Sequence, residues 1–222
     1  MFTGLIQATG QVVSVRRLET GVHIEVDAQG LSPRPIRVGD SIAVNGVCLT
    51  ATGVSGWRFG ADVSRETLSL TAGLDACGVV NLETSLALGD TLGGHLVSGH
   101  VDGVGTIVRM QPEGESVQLV VRAPARLARF LAPKGSVAID GVSLTVNRVA
   151  DSADETGACD ISINLIPHTV ANTAFREAAA GRRVNLEVDL IARYVARMLA
   201  ADIPASGAAP ASAALPFPTD RT

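Results

Sequence analysis

The sequence predicts an all-β protein made of two similar halves, each a small closed barrel, with one helix at the end. Three observations lead to this fold class: an internal repeat, a series of short strand-like segments in each half, and a high glycine content. Residues 38–50 read VGDSIAVNGVCLT and residues 133–145 read PKGSVAIDGVSLT, an offset of 95 (136 − 41). Ser41, Ala43, Gly46, Val47, Leu49 and Thr50 recur as Ser136, Ala138, Gly141, Val142, Leu144 and Thr145. The same offset sets Thr3-Gly4 against Ser98-Gly99. Residues 62–67 face residues 164–169 at an offset of 102 (164 − 62), and residues 80–83 face residues 184–187. Four matched blocks in one order mark a duplication.

In the first half, residues 11–15, 22–26, 41–44, 49–54 and 79–83 are short, β-branched and bounded by Gly, Asp or Pro, as strands are. The second half repeats this at 105–108, 117–121, 136–139, 144–149, 159–165 and 184–188. Asn45-Gly46 and Asp140-Gly141 are two-residue hairpin signals. About six short strands in under roughly 100 residues suggest a closed barrel, which leaves no sheet edge open. The 23 glycines among 222 residues suit a chain with many tight turns. Residues 124–132 and 168–179 read as short helices. Over 189–203, Leu190, Ile191, Tyr194, Val195, Met198, Leu199 and Ile203 recur at helical spacing behind Asp189, a suitable N-cap. This helix has no counterpart in the first half, so it either packs on its own barrel or meets copies of itself. Residues 204–222 are mostly Ala, Pro and Ser and are expected to be disordered. The predicted units are 1–97, 98–188, the helix 189–203 and the tail 204–222.

Composition excludes several functions. Eighteen basic against 22 acidic residues, and only 3% aromatics, disfavour nucleic-acid binding. Cys48, Cys77 and Cys159 are odd in number and widely spaced, which supports neither a metal site nor a disulfide framework. The first residues lack the pattern of a secretory signal, and no apolar run is long enough for a bilayer, so no membrane role and a cytoplasmic location are expected.

The two halves differ inside their matched blocks. His100 stands where the first half has Leu5, Ser143 where it has Cys48, Asp140 where it has Asn45, and Lys134 where it has Gly39. The imidazole of His100 suits proton transfer near neutrality. The thiol of Cys48 could add to an electrophilic ring carbon or only contact a ring. Lys134 is the single lysine among 18 basic residues, a compact point charge in a chain that otherwise uses arginine. His95 lies in a glycine-rich linker and reads as structural or hinge-related, and His23 as an exposed strand residue without a role.

Met1-Phe2-Thr3-Gly4, the blocks NGVCLT at 45–50, GGHLVSGHVDG at 93–103 and DGVSLT at 140–145, and Ile166-Pro167-His168-Thr169 together resemble the riboflavin synthase family of the alpha-chain type. The resemblance spans residues 1 to about 200. It implies two six-stranded Greek-key barrels, each binding one lumazine-type ring, and a homotrimer assembled by the C-terminal helix. The implied reaction needs no cofactor. Two molecules of 6,7-dimethyl-8-ribityllumazine dismutate by four-carbon transfer, giving riboflavin and 5-amino-6-ribitylaminouracil. Active sites would form between the first barrel of one subunit and the second barrel of a neighbour, and association with lumazine synthase is a further implied contact. Non-catalytic lumazine- or flavin-binding carriers share the duplicated barrel and are the alternative.

On this resemblance the catalytic candidates are His100, Cys48, Ser143, Thr145 and Ser41. Ring binding would involve the backbone segments Gly4-Leu5-Ile6 and Gly99-His100-Val101, the hairpin residues Cys48-Leu49-Thr50 and Ser143-Leu144-Thr145, and Lys134. Ribityl hydroxyls would meet Asp62-Val63-Ser64-Arg65-Glu66-Thr67 and Asn164-Leu165-Ile166-Pro167-His168-Thr169. Each half is expected to form its own complete pocket, so that residues 1–97 wrap Gly4 to Ile6, Cys48 to Thr50 and Asp62 to Thr67 around one ring.

Overall fold

The computed structural model describes residues 1–31, 35–152 and 156–201. Seven strands make up the first half: β1 (Ala8–Leu18), β2 (Gly21–Asp27), β3 (Ser41–Val44), β4 (Val47–Thr50), β5 (Gly53–Ser55), β6 (Arg58–Ser64) and β7 (Gly78–Thr84), with helix α1 (Arg65–Leu70) before β7. The second half follows with β8 (Gly103–Glu113), β9 (Ser116–Ala123), α2 (Ala125–Ala128), β10 (Ser136–Ile139), β11 (Val142–Thr145), β12 (Arg148–Asp151), β13 (Cys159–Leu165), α3 (Pro167–Asn172), a 3-10 turn (Ala174–Glu177) and β14 (Arg183–Val188). Helix α4 (Leu190–Ala201) ends the described chain. The expected Ile203 and the tail 204–222 lie outside the described residues.

The two sheets have the same order, β4-β3-β7-β1-β2-β6-β5 and β11-β10-β14-β8-β9-β13-β12. The duplication read from the sequence is therefore a duplication of fold. Seven strands appear in each half where about six were expected because one expected strand bends, and in the first half residues 58–64, not among the expected strands, form β6. Residues 47–50 pair with β3, the chain turns at Ala51-Thr52, and residues 53–55 pair with β6. Thr52 N–H donates to the Gly60 carbonyl at 2.8 Å, and Asn147 N–H repeats this to Ser162 at 2.8 Å. The two ends of each sheet are thus successive parts of one strand, and the sheet curls back on itself.

Local chemistry explains these elements. Asn45 (φ 46°) and Gly46 (φ 78°), and Asp140 (φ 46°) and Gly141 (φ 80°), have positive φ at both central turn residues, as the tightest hairpins require. Alternation in β6 buries Phe59, Ala61 and Val63 while Arg58, Asp62 and Ser64 face out. Each barrel has its own core, one including Ile24, Ile42, Phe59 and Leu82, the other Leu119, Ile139, Ile161 and Leu186, and Phe2, Ala43, Val97 and Ala138 form a third, smaller cluster. Burying each such side chain contributes about 1.5–3 kcal/mol.

The barrels meet about an approximate twofold axis. A Cβ at Gly46 would lie 2.7 Å from the Gly141 nitrogen, and one at Gly141 would lie 2.8 Å from the Gly46 nitrogen, so this contact needs glycine on both sides. Around it, side-chain amides cross the joint in a matched pattern. Asn81 Nδ2 donates to the Asp140 carbonyl (2.9 Å) and Asn185 Nδ2 to the Asn45 carbonyl (3.0 Å). Asn81 Oδ1 accepts from Ala174 N–H and Asn185 Oδ1 from Ala72 N–H, both at 2.7 Å. The claim of Asn81 on Ala174 explains why the helix expected over 168–179 is broken. Thr173 leaves the helical region (φ −132°, ψ 171°), and its side chain caps the short 3-10 turn that follows.

Candidate active site

The hairpin β3–β4 turns two side chains inward and two outward. Val47 and Leu49 are buried in the first core, while Cys48 is half-buried and Thr50 exposed. Hairpin β10–β11 repeats the arrangement, with Val142 and Leu144 inward, Ser143 half-buried and Thr145 exposed. Ser41 lies opposite Thr50 in the ladder, as Ser136 lies opposite Thr145. Each half thus presents an outward row of small polar groups on a rigid hairpin. Leu49 and Leu144, expected at the ring, and Val63 and Leu165, expected in the segments that meet the ribityl chain, point into the cores. Strand alternation leaves them only their backbone to offer a ligand.

The edge beside each row comes from the other half. The Gly4 carbonyl accepts from Ser143 N–H at 2.8 Å, and the Gly99 carbonyl accepts from Cys48 N–H at 2.8 Å. Ile6 packs against the second core and Val101 against the first. This corrects the expectation of a self-contained pocket in residues 1–97. Gly4 to Ile6 belong with Ser143 and Thr145, whereas Cys48 and Thr50 are bordered by Gly99 to Val101. Both glycines are obligatory. Gly4 has φ 74° and Gly99 φ 79°, and an added Cβ would come within 2.6 Å of the Cβ of Ser143 or of Cys48.

The third expected segments follow β6 and β13. Ser64 caps α1 by accepting from Thr67 N–H at 3.1 Å, and Pro167 occupies the first turn of α3. Thr71 Oγ1 donates to the Thr67 carbonyl (2.8 Å) and Thr173 Oγ1 to that of Thr169 (2.7 Å). Arg65, Glu66, Ile166, Pro167, His168 and Asn164 are exposed. Asp62 is paired with His23, Nδ1 to Oδ1 at 2.6 Å. The strand histidine given no role orients a candidate ribityl-binding carboxylate.

His100 is exposed, and Lys134 is exposed in the left-handed region (φ 70°). Its counterpart Gly39 has φ 95°, and both backbone amides donate to the bent strand, Gly39 to Ala51 (2.8 Å) and Lys134 to Val146 (2.7 Å). A side chain in this slot costs about 1–2 kcal/mol. The second half therefore keeps an ammonium where the backbone asks for glycine.

His95 is the residue that sequence reasoning undervalued. Its Nδ1 lies 2.7 Å from Ser143 Oγ, and its Nε2 is buried with no partner among the described residues. Burial pushes its pKa down, against the pull of Asp189 and Glu187. A neutral imidazole on a hydroxyl is an arrangement that can take a proton from it. The glycines before His95 were the available signal, since a Cβ at Gly94 would lie 2.1 Å from the Thr3 carbonyl and 3.0 Å from the Ser143 Cβ.

Helix α4 starts behind Asp189, whose Oδ1 accepts from Ile191 N–H at 2.9 Å, as expected of an N-cap. Ion pairing of Arg193 with Asp102 (2.8 Å) ties it to the second barrel. Ile191, Tyr194, Val195, Met198 and Leu199 remain 48–67% exposed. No helix among the described residues is long and apolar enough to cross a membrane.

Comparison with known proteins places the chain in a family. A model of the lumazine binding domain matches residues 3–85 and again 98–189. The chain is 43% identical over 205 residues to riboflavin synthase of Brucella abortus, covering 89% of this chain and 98% of that protein. It is 37% identical over 206 residues to riboflavin synthase of Photobacterium phosphoreum, covering 92% and 91%. Among solved structures, LumP complexed with riboflavin superposes with a TM-score of 0.73 at 22% identity, covering 85% of this chain and 99% of that one, a likeness of fold. With both halves matched and the identity spread over nearly its whole length, the chain belongs to the lumazine-binding domain family, among the riboflavin synthases.

Proposed function

We propose that the chain is an enzyme that dismutates two molecules of 6,7-dimethyl-8-ribityllumazine into riboflavin and 5-amino-6-ribitylaminouracil. One observation carries this reading. The chain has two copies of one polar edge, each completed by backbone from the opposite half, yet with different reactive groups. Two copies of a substrate need two like pockets, while a donor and an acceptor of four carbons need unlike chemistry. Holding both rings in place converts a bimolecular encounter into a positioned one, worth up to about 7–11 kcal/mol of barrier.

Gly99 to Val101 with Cys48, Thr50 and Ser41 hold one ring; Gly4 to Ile6 with Ser143, Thr145 and Lys134 hold the other. His100 takes the proton from an acidic ring methyl. Ser143, with His95 on its hydroxyl, and Cys48 are the groups able to add to an electrophilic ring carbon and leave again. The four-carbon unit then passes to the acceptor, which becomes riboflavin, and the donor departs as the uracil product. Asp62 to Thr67 and Asn164 to Thr169 supply polar groups to the ribityl chains. The chemistry requires only these side chains and the two substrates.

We infer a homotrimer assembled through the exposed apolar face of α4, in which the first half of one subunit faces the second half of another; a cytoplasmic location and association with lumazine synthase are further expectations. Incubating the protein with the lumazine and following flavin absorbance tests the activity. Binding without flavin formation would make the chain a carrier instead. Deleting residues from 189 onward should give folded monomers that bind ligand and turn over poorly, as checked by light scattering and rate; a fully active monomer would remove the helix from the assembly.

A further inference from the structure

We propose that Glu83 and Glu187 are positioning residues that act across the chain. Each is a buried carboxylate on the last strand of its own barrel that sets the backbone edge of the other barrel's site. The inference rests on the reading of Cys48–Thr50 and Ser143–Thr145 as ring-binding edges.

Glu83 is 2% exposed and Glu187 4% exposed. Glu83 Oε1 accepts from Thr3 N–H (2.6 Å) and Thr3 Oγ1–H (2.7 Å), and its Oε2 accepts from Gly4 N–H (3.0 Å). Glu187 repeats this with Ser98 N–H (2.6 Å), Ser98 Oγ–H (2.6 Å) and Gly99 N–H (3.0 Å). Three donors converge on each carboxylate, which has acceptor sites only; an amide would turn an NH2 group on some of them. The hydroxyl serves the next residue as well, since Thr3 Oγ1 accepts from Leu5 N–H (3.0 Å) and Ser98 Oγ from His100 N–H (3.3 Å).

Each clamp fixes the glycine that reaches across. Its carbonyl receives the N–H of Ser143 or of Cys48, an amide that points away from its own hairpin. The left-handed glycine lets the chain turn there without a Cβ in the way. Glu187, in the second barrel, therefore sets where His100 stands beside the Cys48 edge of the first. Glu83, in the first barrel, sets where Leu5 stands beside the Ser143 edge of the second.

Hydrogen–deuterium exchange on the intact protein tests this. The variants are Glu187→Gln and Glu83→Gln, with Ser98→Ala and Thr3→Ala as milder versions that keep the carboxylate should either Gln variant fail to fold. Glu187→Gln or Ser98→Ala should speed exchange of the Cys48 amide at least tenfold and leave Ser143 unchanged. Glu83→Gln or Thr3→Ala should do the opposite. Amides of Ile42 and Val137 in the cores, unchanged throughout, separate local release from global loosening. Exchange that rises equally at both edges, only within the substituted barrel, or at neither, overturns the proposal. In steady state, Glu187→Gln should lower kcat more than it raises KM, because it displaces His100, whereas Glu83→Gln should mainly raise KM; the same split in both variants also counts against the assignment. The exchange pattern is independent of turnover. A crossed pattern in a protein that forms no flavin would sink the proposed reaction and leave the crossed clamps standing.

Discussion

The arm that carries Leu5 and the arm that carries His100 are built alike and tethered differently. Both leave a buried glutamate, cross to the other barrel and end on a glycine carbonyl. Beyond that the first arm continues to Gln7, whose Oε1 accepts from Thr84 N–H and Oγ1–H at 3.0 Å. The second continues to Asp102, whose carboxylate accepts from Val188 N–H (2.9 Å) and pairs with Arg193 of α4. A neutral amide closed on the end of β7 has become a charge that bonds the end of β14 and also links the arm to the terminal helix. The histidine-bearing arm is thus the one connected to the proposed subunit interface. Duplication fixes the geometry of a site twice, and substitution at a few matched positions then assigns the chemistry.

The sharpest way to break this comparison is to make the arms alike. His100→Leu should cut turnover by roughly 10²–10⁴, the usual worth of a general acid–base group. Ligand affinity should fall much less, since the backbone of Gly99 and Val101 remains. Leu5→Ala should weaken binding, with any loss of rate following it. Single-turnover rates and affinities decide the matter, and near-normal turnover in folded His100→Leu protein would return the proton transfer to other groups.

His95 has no matched residue, because it lies between the two matched repeats, 3–85 and 98–189. Replacing it with Gln removes whatever it does for Ser143 alone. A loss of about 1.4 kcal/mol, the order of one hydrogen bond, corresponds to about tenfold in turnover. Affinity should hold. An equal loss of affinity and rate would make His95 a packing residue.

Lys134→Gly restores the first half's residue in the left-handed slot. Stability should rise by about 1 kcal/mol in urea unfolding, as strain is relieved, while ligand affinity and activity fall. Unchanged affinity would remove the ammonium from the site.

The gentlest test concerns the joint. Burial pushes the Asp140 pKa up to about 6, against Arg182 at 3.1 Å and the Asn185 amide. An acid with a raised native pKa is protonated in the folded chain and ionised in the unfolded chain between about pH 4 and 6. Its contribution to stability is therefore full below the unfolded pKa and lost as pH rises to about 6. Asp140→Asn, which copies Asn45, removes that dependence. Wild type should lose stability relative to the variant as pH rises over this window, with no further change above it. A difference that does not vary with pH would place the titration elsewhere.

Much of this was legible in the sequence. The repeat gave the equal sheets, Asn45-Gly46 and Asp140-Gly141 gave the hairpins, and the spacing behind Asp189 gave α4. What stayed hidden was which matched residues touch. An offset pairs Gly4 with Gly99 as equivalents, but a twofold arrangement puts each beside its counterpart's neighbour, Gly4 at Ser143 and Gly99 at Cys48. The bend at Ala51-Thr52 was hidden because both sides of it carry strand-like residues. The helix expected over 124–132 shrank to Ala125–Ala128 because the amides of Phe130 and Leu131 bond three residues back, to Leu127 and Ala128, as in tight turns. His95 was hidden because the repeat supplies no partner to compare it with.

The crossed arms also say something about ancestry. A chain with one repeat would carry an arm it could not use and a hairpin edge it could not cover. Two such chains exchanging arms about a twofold axis would satisfy both needs, in the self-complementary manner of a symmetric dimer. Residues 85–97 now join what would have been separate molecules. In a dimer of identical chains, position 5 and position 100 are obliged to hold the same amino acid. Fusion lifts that obligation, so an asymmetric reaction on two identical substrates can evolve one residue at a time.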